Sequence, residues 1–127
     1  MQKADAVTIE TRKRFGPLPG TFSSTGAISE SGTFLNSSVI LECLDAPNSV
    51  TVHVTQRFEG ALGTFTLRAA ISQTATEHPR VLSDRGSWVV IGGTEVYETL
   101  RGRGRVTGTA DDALDLICRT YSGTVSR

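Results

Sequence analysis

The residues best suited to chemistry lie on two neighbouring segments in the middle of the chain. His53, Arg57 and Glu59 share one parity within Val50–Gly60, and Arg68 follows on the next segment. If this polar face points inward, a carboxylate and a histidine are available for proton transfer, and an arginine can steer charge. We therefore take Glu59, His53 and Arg68 as candidate catalytic residues.

The same two segments also carry an apolar face, which supports the opposite interpretation. Val54 and Phe58 alternate with the polar side chains of the first segment. Phe65, Leu67 and Ile71 alternate in the same way on the second segment, and such side chains need an interior. In that case the polar face is simply exposed to solvent. The sequence leaves both orientations open.

Alternation with a period of two runs through most of the 127 residues and predicts an all-β protein. Seventeen threonines and thirteen glycines favour strands and turns over helices. Gly60–Gly63 predicts a hairpin turn, Ser31–Gly32 predicts another tight turn, and residues 45–49 read as a loop. About eight strands in sequential hairpins predict a closed antiparallel barrel, with a two-sheet sandwich as the alternative. We expect a single domain over residues 1–127, in which residues 1–19 are an N-terminal arm or the first strand.

The composition excludes several functional classes. Thirteen basic residues balance thirteen acidic ones, which argues against nucleic acid as a partner. The apolar runs are too short for a membrane helix, and residues 1–10 lack the apolar region of a secretory signal. Cys43, Cys118, His53 and His78 lack paired metal-ligand spacing, so we expect no metal and no cofactor. The sequence thus predicts a cytoplasmic protein with reduced thiols.

Three arginines alternate with two glycines in the segment Arg101–Arg105. On a strand, all three arginines face one side and both glycines face the other. Inward glycines permit a barrel to bend. We therefore expect an arginine stripe that faces solvent or a partner subunit, rather than an RNA-binding segment.

A glycine-marked segment carries a resemblance to a known family. In Gly86–Gly104, a strand ends at Gly92-Gly93 and a short turn carries Tyr97. The segment resembles the Val-x-Gly-Gly-Thr-Gly-x-aromatic motif of dirigent proteins and allene oxide cyclases. The chain is more similar still to small bacterial proteins of the allene oxide cyclase-like barrel group, also at Phe58–Gly60 with Gly63–Leu67 and at Arg119–Gly123. Glu95 replaces the third glycine of the motif, so the turn is expected to lack that residue's positive φ.

The resemblance implies an eight-stranded antiparallel barrel, often oligomeric, whose lumen binds a small apolar molecule. The corresponding function is that of a cofactor-free cyclase or isomerase. The walls of the lumen are then expected to come from the aromatic side chains of Phe65, Trp88, Tyr97 and Tyr121. The alternative is a non-catalytic binding protein or an oligomeric scaffold.

Overall fold

The computed structural model of the chain describes residues 4–43 and 49–127, which form a closed barrel of antiparallel strands. Each strand pairs with the next one along the chain, and the last pairs with the first. The eight strands are β1 (Asp5–Lys13), β2 (Gly20–Gly26), β3 (Glu30–Cys43), β4 (Ser49–Gly60), β5 (Gly63–Ala75), β6 (Val81–Gly93), β7 (Arg101–Asp111) and β8 (Leu116–Ser126). The predicted eight-stranded closed barrel is confirmed. No helix of the described chain is long and apolar enough to span a membrane.

The N-terminal segment contributes a strand of the barrel wall and is not a detached arm. Ile9 of β1 lies opposite Ser24 on one side and opposite Tyr121 on the other. Its side chain is buried because β1 closes the cylinder between β2 and β8.

One predicted turn was wrong. Ser31 and Gly32 lie inside β3, and the chain reverses earlier, after Gly26, which has a φ of 87°. A glycine suits that position because other residues avoid positive φ. Gly32 has a different role: a Cβ there would lie 2.0 Å from the carbonyl oxygen of Glu59, so the glycine lets two strands approach closely.

Aromatic rings fill one half of the barrel interior. Phe58 stacks on Phe34 and on Phe65, with ring centroids 5.2 Å and 4.9 Å apart. The three-residue 3-10 helix Glu95–Tyr97 places the Tyr97 ring edge-on against Phe65, at 5.3 Å. This half of the interior is therefore closed by packed side chains.

The opposite end of the barrel is less completely covered, and we call it the open end. Here β1 ends and β2 begins, but β2 has only seven residues while β3 has fourteen. Beyond Phe34, β3 pairs only with β4 in the described chain. Val39 and Leu41 lie opposite the inward-facing Val54 and Val52, yet they are 54% and 65% exposed. The open end thus presents an apolar inner wall to solvent.

Candidate binding site at the open end of the barrel

Strand alternation turns several polar side chains into the barrel interior. Gln56 occupies an inward position of β4, in line with Val54 and Phe58. Asp84 does so on β6, and Arg119 on β8. All three are buried, with 1%, 2% and 8% of their surface exposed. Buried polar groups are stable only when they have partners, so their hydrogen bonds define the site.

A buried ion pair lies near the open end. The Arg119 Nε donates to Asp84 Oδ2 at 2.8 Å, and the Gln73 amide donates to Asp84 Oδ1 at 3.0 Å. The side chains of Arg119 and Asp84 are 8% and 0% exposed. Removing two charges from water is costly, and the attraction between them offsets that cost only with good geometry and further hydrogen bonds. Gln73 supplies such a bond.

A second buried chain of hydrogen bonds runs beside this pair. The Tyr121 hydroxyl donates to Gln56 Oε1 at 2.6 Å, and the Gln56 amide donates to Asn36 Oδ1 at 3.2 Å. Burial raises the pKa of the Tyr121 phenol, whereas the positive charge of Arg119 acts in the opposite direction. Tyr121 therefore remains a neutral hydrogen-bond donor at physiological pH.

Lys13 fixes the loop that borders the open end. Its ammonium group donates to the backbone carbonyls of Arg14, Gly16 and Leu18, at 3.1, 2.5 and 2.8 Å. Burial, followed by the nearby charge of Arg119, lowers the pKa of Lys13. A second cation thus lies within electrostatic range of the Asp84–Arg119 pair.

The polar network is complete as it stands. Among the described residues, every buried side-chain nitrogen or oxygen has a hydrogen-bond partner. A bound molecule therefore has to add to these bonds or replace one of them. Gln73 and Asn36 are the accessible positions, because each is half-buried at one end of these hydrogen-bond chains.

The four predicted wall residues all lie in the interior. Phe65, Trp88, Tyr97 and Tyr121 are each no more than 2% exposed. The Trp88 indole donates to the carbonyl oxygen of Arg105 at 3.1 Å. The Tyr97 hydroxyl donates to Glu30, and burial together with that carboxylate raises the pKa of Tyr97. All four rings pack against other parts of the protein. Of the four, Tyr121 is the one that takes part in the buried hydrogen bonds near the open end.

The three predicted catalytic residues do not reach the interior. Val54 and Phe58 occupy the inward positions of β4, so His53 and Glu59 face outward, and Arg68 does the same on β5. His53 bonds Glu42 at 3.3 Å, while Glu59 lies near Arg57 at 3.5 Å. His53 and Glu59 are six positions apart along the strand, a distance of about 20 Å. Of the two orientations that the sequence left open, the structure has the polar face outward, so Glu59, His53 and Arg68 do not form a catalytic group in the lumen.

Sequence reasoning missed the residues that do face inward. Gln56, Gln73 and Asp84 were not proposed, although each follows the parity of buried apolar residues on its own strand. A polar residue at an apolar position of an alternating pattern was the signal that could have found them.

The glycine-marked motif builds the closed end. Gly93 passes so close to Tyr97 that a Cβ would lie 2.2 Å from the Tyr97 carbonyl oxygen. Glu95 has a φ of 56°, so the expectation that this turn lacks a positive φ was wrong. The chain adopts the left-handed conformation without the glycine that makes it easy.

Fold and site together define a closed antiparallel β-barrel with packed aromatic rings at one end of its interior and a buried polar network toward the other. Comparisons with protein-family models, with curated proteins and with solved structures gave no match. The resemblance to allene oxide cyclase-like barrels thus rests on the motif residues and stays a prediction.

Proposed function

We propose that the barrel binds a small, mainly apolar molecule with one polar group at its open end. The observation that carries the proposal is a juxtaposition. Exposed apolar side chains of the inner wall, Val39 and Leu41, lie at the same end as the buried Asp84–Arg119 pair. Ligand sites commonly combine apolar walls with a few fixed polar groups, which orient the ligand.

The chemistry we propose for this site is a cofactor-free isomerisation or cyclisation. Such a rearrangement conserves the atoms and electrons of the substrate, so the protein has to supply only shape and electrostatics. The walls would hold a flexible intermediate near its reactive conformation. The Arg119 guanidinium would stabilise negative charge that develops on a substrate oxygen. The neutral Tyr121 hydroxyl would do so by exchanging its hydrogen bond to Gln56 for one to that oxygen.

The second candidate is a non-catalytic binding protein or an oligomeric scaffold in the cytoplasm. It is favoured by the completeness of the polar network, which needs no ligand to satisfy its buried groups. Self-association is supported by β3. Beyond Phe34, the edge of β3 that faces β2 has no pairing partner in the described chain, although the other edge pairs with β4. Unpaired strand edges are templates for pairing with another copy.

The test is binding of an apolar fluorophore with one sulfonate group, 1-anilinonaphthalene-8-sulfonate, to the full chain. Leu41→Asn is expected to weaken binding about tenfold, because it places an amide in the apolar inner wall. Leu62→Asn is the matched control, since Leu62 is 55% exposed in the β4–β5 turn away from the open end. The same loss in both variants, or no saturable binding, would overturn the proposed site.

An activity assay distinguishes the catalytic function from the non-catalytic one. Reactive epoxide and polyketide intermediates are incubated with the protein and with Tyr121→Phe, and the product isomers are compared. Catalysis predicts that the protein changes the product distribution and that Tyr121→Phe loses this effect while still binding the fluorophore. Binding without any change of products would support the non-catalytic candidate.

A further inference from the structure

A shallow trench crosses the outer face of the barrel. The register places His53, Ala70, Ser87 and Arg105 side by side on β4, β5, β6 and β7. The two central positions carry small side chains, so the surface is low between larger neighbours. We call this row and the rows on either side of it the outer trench.

Arginines border the outer trench on both sides. One flanking row contains Arg68 and Arg103 with Val89 between them, and the other contains Arg85. All three arginines are exposed, as is Arg105 at the end of the central row. The three rows hold no aspartate or glutamate across the four strands; the remaining positions are Thr51, Thr55, Ser72 and Thr107.

These arginines lack the carboxylate partners that four other arginines of the chain have. Arg14, Arg57, Arg80 and Arg119 each form an ion pair with a carboxylate. Within residues 4–43 and 49–127, none of the four trench arginines forms one. The nearest acidic residue along the rows is Glu42 on β3, and it bonds His53. A net charge of zero therefore conceals a local excess of positive charge.

The outer trench is also concave enough to hold a ligand. A groove of about 430 Å³ is lined by His53, Arg68, Ser87 and Arg103, together with neighbouring residues of the same strands. A second groove, of about 420 Å³, shares His53 and Arg68 and extends toward Ile40. Of the four trench arginines, Arg68 and Arg103 thus line the first groove, and Arg68 also lines the second.

We propose that the outer trench binds a compact anion that carries two or more phosphate groups. The planar guanidinium group of an arginine forms paired hydrogen bonds with phosphate oxygens, and the hydroxyl of Ser87 adds a neutral hydrogen-bond donor. Neighbouring strands are about 4.8 Å apart, so Arg68 and Arg103, two strands apart, have α-carbons about 10 Å from each other. Cations on both sides and at one end suit a compact oligophosphate better than a long strand of nucleic acid.

The experiment is a titration with inorganic tripolyphosphate, followed by the amide NMR signals of the full chain. At about 50 mM salt we expect saturable shifts centred on Ala70 and Ser87, which weaken steeply at about 200 mM salt. The double variant Arg68→Gln/Arg103→Gln is expected to raise Kd at least tenfold. Arg12→Gln, an exposed arginine on β1, is the matched control and should leave Kd within twofold.

Three results would overturn the proposal. The first is the absence of saturable shifts at low salt. The second is an equal loss of affinity in the Arg12→Gln control. The third is a preference for another class of ligand. A single-stranded oligonucleotide that binds more than tenfold tighter than tripolyphosphate would show such a preference, and so would citrate that binds as tightly as tripolyphosphate.

Discussion

At the scale of single residues, the interior of this barrel depends on one buried ion pair. Arg119 and Asp84 lie almost entirely out of water and hold each other at 2.8 Å. Their burial is tolerable only while both partners are present. The pair therefore couples the shape of the open end to the stability of the whole chain.

Asp84→Asn is expected to destabilise the protein by about 3–5 kcal/mol, because it leaves the Arg119 charge buried without a counter-charge. The double variant Asp84→Leu/Arg119→Met should recover most of that loss, since neither charge of the pair remains buried. The free energy of unfolding in urea measures both effects. A cost below about 1 kcal/mol for Asp84→Asn would show that Arg119 does not depend on this partner.

The residue scale also includes the strained turn at the closed end. Glu95→Gly is expected to stabilise the protein by up to about 1 kcal/mol, because glycine adopts a φ of 56° without steric conflict. Asp115→Gly is the comparison. Asp115 has a φ of 51°, but it bonds Arg14 and the Phe15 amide, so the change should not stabilise. Thermal unfolding of both variants tests this difference, and a gain from Asp115→Gly alone would contradict it.

At the scale of elements, the loop between β1 and β2 is fastened from two sides. The buried Lys13 ammonium group donates hydrogen bonds to backbone carbonyls of the loop. On the surface, Asp115 accepts hydrogen bonds from Phe15 and Arg14. The Phe15 amide, followed by Arg14, lowers the pKa of Asp115. We therefore expect the order of this loop to depend on pH.

Acid should release this loop before the barrel unfolds. A lowered folded-state pKa gives stability that is present above the unfolded pKa and is lost as the pH falls through the folded value. We therefore expect hydrogen-exchange protection of the Phe15 amide to decrease below about pH 4. In Asp115→Asn the protection should be weak and independent of pH in this range. If the Phe15 amide of the unmodified protein stays fully protected at lower pH, its hydrogen bond to Asp115 does not hold the loop.

Element prediction succeeded where the alternation was strict and failed where glycines have two roles. The β4–β5 hairpin, with Gly60 opposite Gly63, was predicted because apolar and polar residues alternate on both sides of the turn. The Ser31–Gly32 turn was wrong because a glycine that permits close strand approach looks the same in sequence as one that reverses the chain. Most of the predicted loop at residues 45–49 lies outside the described residues, which resume at Ser49.

At the scale of the whole molecule, aromatic rings fill one end of the interior, and a buried polar network lies among apolar side chains toward the other. The closed barrel was predictable because its strands follow one another along the chain. The polar site was not, since Gln56, Asp84 and Arg119 lie on separate strands and meet only when the cylinder closes. Likewise, the outer trench gathers arginines from three strands, which a net charge of zero cannot indicate.

Binding of a small molecule with an apolar body and one polar group at the open end is the proposal on which the function rests. It is tested most directly by titrating the protein with decanoate and following both the backbone amides and the side-chain amides by NMR. We expect saturable shifts at Val39, Leu41 and the side-chain amide of Gln73, while the signals of Ala70 and Ser87 on the outer face stay unchanged. No saturable shifts, or shifts confined to the outer face, would contradict it.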